Sequence, residues 1–139
     1  MKLSVKSDYA ARAVLGLARH AHTGEPVPVD TLATENSIPS NYLVQILIEL
    51  KAQRIVRSRR GKEGGYQLAR PAAEITLGDI VRCMHGTAFD TPAMHDPKCP
   101  PELHKAWRRI QESVGSALDS VNFHQLAEDG AEKDKMYYI

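Results

Sequence analysis

Ile38-Pro39-Ser40-Asn41-Tyr42-Leu43-Val44-Gln45-Ile46-Leu47-Ile48-Glu49-Leu50, followed by Arg57-Ser58-Arg59-Arg60-Gly61-Lys62-Glu63-Gly64-Gly65-Tyr66-Gln67-Leu68, decides how this chain folds. In the first stretch Leu43, Ile46, Leu47 and Leu50 recur at steps of three and four, the period of a helix with one apolar face, and Pro39-Ser40 suits its first turn. In the second, the strand-like runs Ile55-Val56 and Tyr66-Gln67-Leu68 flank a glycine-rich reversal. Between Lys51 and Arg70 seven Lys or Arg residues stand against one acid, Glu63. A polar-tipped helix followed by a basic hairpin is the layout of a winged helix-turn-helix, which grips duplex DNA.

Reading outward from that pair, Ser7 or Asp8 starts a helix that runs to about His22, with Ala10, Ala13, Val14, Leu17 and Ala18 on one face. Gly24-Glu25-Pro26-Val27-Pro28 stops it, a short helix follows around Thr31 to Glu35, and Asn36-Ser37 makes the turn into the second helix. Beyond the wing, Thr76 suits a helix N-cap before Leu77, Ile80, Val81 and Met84, and Gly86 closes that helix. These elements define a DNA-binding domain over residues 1–86. Residues 87–101 hold four of the eight prolines and read as a surface loop without regular structure, long enough to act as a sensor. Glu102 opens a long helix in which Leu103, Trp107, Ile110, Val114, Ala117 and Val121 alternate steps of four and three. A seven-residue repeat of this kind seeks a partner helix, and a homodimer seam answers it most simply. The expected organisation therefore ends with a dimerisation helix and C-terminal turn over 102–127 and a frayed tail over 128–139. The fold class is mainly α with a small β-wing.

At 139 residues the chain has room for one domain and an arm, and 42% hydrophobic with 25% charged residues is ordinary for a globular protein. No apolar run approaches the ~20 residues that span a bilayer, and no secretory signal opens the chain, so a cytoplasmic protein with no membrane partner is expected. Two cysteines, Cys83 and Cys99, do not make a disulfide framework. The net charge of +1 conceals a division. Residues 1–85 carry twelve bases and eight acids, or +4, and residues 86–139 six bases and nine acids, or −3, which puts the nucleic-acid surface in the first half.

Ser40, Asn41 and Gln45 supply the short polar side chains that read base edges, with Tyr42 able to reach a phosphate or a thymine methyl. Arg57, Arg59, Arg60 and Lys62 supply the wing with phosphate contacts or an arginine for a narrow minor groove, and Gly64-Gly65 would let backbone amides approach the strand. A basic hairpin on some unrelated domain would explain neither the helix pair before it nor the long helix after it. A winged helix used for protein interaction would not need six net positive charges. Enzyme motifs are missing: there is no phosphate-cradling glycine loop, no Gly-x-Ser-x-Gly, no Cys-x-x-Cys and no metalloprotease histidine pair.

Met1-Lys2-Leu3-Ser4, Tyr42-Leu43-Val44-Gln45-Ile46-Leu47, the run Val56 to Pro71 with its Arg60-Gly61-Lys62-Glu63-Gly64-Gly65-Tyr66 wing, and Ile75-Thr76-Leu77-Gly78-Asp79-Ile80-Val81 together resemble the bacterial winged-helix transcriptional regulators that include the iron–sulfur regulator IscR, the nitric-oxide sensor NsrR and the cysteine-metabolism repressor CymR. The resemblance runs over nearly the whole chain. It implies a homodimeric regulator, usually a repressor, that binds palindromic double-stranded DNA with one recognition helix per half-site. In cluster-binding members it implies three loop cysteines, with a fourth ligand from the loop or from the partner's N-terminal helix.

This chain departs from that pattern, because its loop holds Cys99 alone. With Trp107 as anchor, His95 falls near a family cysteine, Pro101 replaces another, His104 keeps the family's histidine spacing, and Asp8 sits where some relatives place a carboxylate ligand. Four readings of the loop stay open. Asp8, His95, Cys99 and His104 are candidate ligands of a [2Fe–2S] cluster or other metal; Cys99-Pro100 resembles the short cysteine-proline haem motif; Cys99 beside Lys98 is a candidate redox or persulfide sensor; or the loop takes a small molecule, or nothing, without a cofactor. Cys83 is expected to fill core beside Ile80 and Met84.

Overall fold

The apolar face of the helix that begins at Ser40 organises the core: Leu43, Ile46, Leu47 and Leu50 are all fully buried. A computed structural model of the chain, which describes residues 2–138, surrounds that face with α1 (Val5–His20), α2 (Val29–Asn36), α3 itself (Ser40–Ala52), the antiparallel pair β1 (Val56–Arg59) and β2 (Gly65–Leu68), and α4 (Leu77–His85). α1 starts earlier than expected because Ser4, not Ser7, is its cap, with Ser4 Oγ accepting the Ser7 amide at 3.2 Å. The helix ends at His20, and a short 3-10 turn carries the chain to Gly24, which holds φ 71° where a Cβ would be strained.

Two non-glycine residues in the left-handed region bracket α3. Ser37 (φ 54°) forms the turn after α2, where Ile38 N–H returns to the Ala33 carbonyl at 3.0 Å, and Arg54 (φ 59°) ends α3, where Ile55 N–H returns to Leu50 O at 3.0 Å. In both, a buried apolar residue follows the left-handed one, and its burial offsets a backbone cost of about 1 kcal/mol. The strands pair Val56 with Leu68 through Arg59 with Gly65, and a bridge between Val27 and Tyr66 adds a third edge that ties the wing to the segment before α2. At α4 the expected cap is a full capping box: Asp79 N–H donates to Thr76 Oγ1 and Thr76 N–H to Asp79 Oδ2.

The C-terminal third differs most from expectation. The proline-rich segment contains a 3-10 turn at Pro92–His95, and α5 runs from Pro101 to Asp119, so Val121 lies beyond the helix. There Leu77 N–H donates to Val121 O and Phe123 N–H to Ile75 O, both at 3.0 Å, clamping the corner after α5 to the start of α4. Residues 123–127 are not a turn and 128–138 not a frayed tail, since α6 spans Phe123–Tyr138; Ile139 lies outside the described residues. Asn122 Oδ1 accepts the Gln125 amide at 2.9 Å at the head of α6, and Phe123 enters the core with no exposed surface. Burial of that ring, worth about 3 kcal/mol, and the packing of α6 on α1 and on Ala72–Glu74 explain a helix that its polar composition concealed. Among the described residues no helix is long and apolar enough to cross a membrane.

Candidate nucleic-acid interface

With Leu43, Ile46, Leu47 and Leu50 turned inward, the helical period leaves Ser40, Asn41, Val44, Gln45 and Ile48 on the outward face of α3, and all are exposed. Tyr42 sits on the flank instead. Its ring meets Tyr9 edge-on at 5.7 Å, and Arg12 lies 5.6 Å from the Tyr9 ring, so Tyr42, Tyr9 and Arg12 form one cluster between α3 and α1. Lys51 Nζ donates to Ser58 Oγ at 2.7 Å, fixing β1 against the end of α3. Arg57, Arg59, Arg60 and Lys62 are exposed, and no salt bridge among the described residues engages any of them. Cations left unpaired on a hairpin are available to phosphates.

Gly64 and Gly65 answer first to the hairpin itself. A Cβ on Gly65 would strike the Val27 carbonyl that pairs with Tyr66, and one on Gly64 would strike the Arg59 carbonyl. Their small size is required by internal packing, whatever approaches from outside.

The loop after Gly86 folds onto α5. Phe89 packs against Trp107 with centroids 5.9 Å apart, Gln111 Nε2 donates to Phe89 O at 2.8 Å, and His104 Nε2 lies 3.3 Å from Met94 O. This divides the seven-residue strip in two. Trp107 and Val114 are half-buried, with Trp107 turned to its own loop, whereas Leu103, Ile110 and Ala117 are exposed. No residue of α5 is buried, so a face spaced by sevens lies bare along the helix.

The four candidate cluster ligands are not brought together. Asp8 pairs with Arg12 at 2.9 Å, His95 with Asp90 at 3.0 Å, His104 with the Met94 carbonyl, and the Cys99 thiol with Pro100 O at 3.6 Å. Among the described residues no group of three or more His, Cys, Asp or Glu could hold a metal ion. One thiol and two histidines engaged elsewhere do not fit a [2Fe–2S] cluster within a single subunit. Cys83 is half-buried on α4, with its thiol 3.8 Å from the Glu49 carbonyl; burial, then the Glu49 carboxylate, push its pKa up.

The α4–α5 corner is held by charge. Arg82 Nη2 donates to Asp119 Oδ1 at 2.7 Å and to Asp79 Oδ1 at 3.2 Å, which lowers the Asp119 pKa and raises that of Arg82. Gly78 gives Asp119 its room, because a Cβ there would strike the carboxylate.

Sequence reasoning did not single out Val44, Ile48, Phe89, Gln111 or Phe123. The first two were legible as the residues four and eight after Ser40, on the side of α3 away from its apolar stripe.

The family model described as Rrf2, iron-dependent transcriptional regulator, matches residues 3–129. An HTH-type transcriptional regulator of Mycobacterium tuberculosis is 39% identical over 132 residues, covering 91% of this chain and 81% of the relative. The HTH-type transcriptional regulator CymR of Bacillus subtilis is 33% identical over the full length of both chains. Its solved structure, described as that of the global cysteine regulator, superposes with TM-score 0.80 at 30% identity, covering 92% of this chain and 97% of that one. The structure of T. potens IscR superposes with TM-score 0.77 at 29% identity over 99% and 97% of the two chains.

Proposed function

We take as premise that this chain belongs to the Rrf2 family of DNA-binding transcriptional regulators, not enzymes, and propose that it is a cytoplasmic homodimeric repressor of palindromic operators. The observation that carries the reading is the exposed face of α3, with Ser40, Asn41 and Gln45 on it, beside a wing of cations that no salt bridge among the described residues engages. In a twofold dimer formed through Leu103, Ile110 and Ala117 of α5, each subunit presents one α3. The two must lie about 34 Å apart to enter successive major-groove turns. Ser40, Asn41 and Gln45 then meet bases, and Arg57, Arg59, Arg60 and Lys62 meet phosphates.

The signal enters at the loop over 87–101, with Cys99 as the redox-sensitive group. Support comes from its place: Cys99 lies two residues before α5, and the same loop rests on Trp107 and Gln111 of that helix, so a change at Cys99 alters the loop's seat on α5 and hence the distance between the two α3 helices. A second reading, a small effector bound without a cofactor, is favoured by a cavity of about 220 Å³ between the loop and α5, lined by Arg82, Phe89, Gln111 and Gly115.

Binding by Asn41→Ala tests the first part. It should cost about 1–3 kcal/mol on the cognate duplex and little on random DNA, because what it loses is a base contact. Equal weakening on both would make Asn41 a positioning residue and shift the reading to the wing.

A further inference from the structure

Two apolar side chains on the outward face of α3 stand outside the buried core cluster. Val44 is 43% and Ile48 51% exposed, and their spacing of four sets them in one row with Asn41 and Gln45 as polar neighbours. Single apolar residues on a surface need no explanation. A row of two β-branched ones does when it shares the outward face of α3 with Asn41 and Gln45. A major-groove floor is polar throughout except at the 5-methyl group of thymine, the one feature there that an aliphatic side chain recognises.

We propose that Val44 and Ile48 are specificity determinants that read thymine through contact with its 5-methyl group, while Asn41 and Gln45 hydrogen-bond to neighbouring bases. The inference rests on α3 being the recognition helix. Four residues advance about 6 Å along a helix, close to two base-pair steps, so the two thymines stand one to two steps apart in each half-site.

The test uses the full chain. Duplexes enriched from a random pool define the half-site, and each thymine in it is then replaced by deoxyuridine, which removes the methyl and leaves the hydrogen-bonding pattern unchanged. Two thymines per half-site should prove sensitive, each losing about fourfold in affinity per methyl and about fifteenfold when both half-sites are changed. Val44→Ala should sharply reduce the penalty at one thymine and Ile48→Ala at the other; both side chains stand outside the buried core, so the variants should fold. An enriched site indifferent to every thymine methyl, or penalties that persist in both variants, overturns the inference and leaves DNA recognition by α3 standing. Failure to enrich any duplex overturns both.

Discussion

Replacing Ile110 with Asp puts a charge at the centre of the bare face of α5. Ile110 is 43% exposed, so of the roughly 180 Å² an isoleucine presents in an extended chain about 75–80 Å² remain to be covered, worth about 2 kcal/mol at ~25 cal/mol per Å². A twofold seam loses that twice, about 4 kcal/mol, which weakens dimerisation about a thousandfold before the cost of desolvating two carboxylates is added. Sedimentation equilibrium across a dilution series should show monomer for Ile110→Asp at concentrations where the parent is dimeric. The thermal melt of the diluted protein should hardly move, because Ile110 lies outside the buried core cluster. Trp107→Ala is the control: it removes the stack on Phe89 and should loosen the loop while leaving the dimer weakened far less. If Ile110→Asp sediments as the parent does at every concentration, the bare face is not the seam.

Arg59→Ala with Arg60→Ala should weaken binding to all duplexes and flatten the plot of log affinity against log salt by ~0.9 for each phosphate no longer neutralised; an unaltered slope removes the wing from the interface. Cys99→Ser should fold, dimerise and bind DNA yet lose its response to thiol oxidants, and a normal response would favour the small-molecule reading. In the parent, Cys83 should alkylate only at more alkaline pH than a free thiol, since burial raises its pKa. Asp119 titrates below the ordinary carboxylate range because Arg82 donates to it, so its contribution to stability is present above about pH 4 and lost as pH falls through the lowered value. Acid melts of Arg82→Ala should lack that portion of the pH dependence, and the effect should be small because the pair is exposed.

The DNA-binding half was legible because each of its elements carries its own local signal. The stripe from Leu43 to Leu50, the reversal at Gly61 to Gly65 and the cap at Thr76 each depend on neighbours within a few residues. The strip on α5 was legible as a period but not as a surface. Two overlapping heptad positions satisfy the same spacing, and only the fold of the loop shows that Trp107 faces inward while Ile110 stays bare. α6 escaped because its order comes from a distance: Phe123 finds the core, and the Val121 and Phe123 backbone pairs with residues 75–77, none of which a local reading of Asn122 to Asp134 contains.

That backbone clamp makes residues 87–119 a cassette. The chain leaves the body built from α1 to α4 at Gly86 and rejoins it over Val121 to Phe123, with the return pinned to the start of α4 and the departure at its end. α4 has 9 residues, so the two junctions are separated by about 13 Å, a gap that about five extended residues cross. If α5 forms the proposed seam, cutting out the excursion and bridging the gap would give a monomeric half-site reader that still keeps α6. If the signal enters at its loop as proposed, exchange for the corresponding segment of a relative would graft a different signal onto the same operator preference.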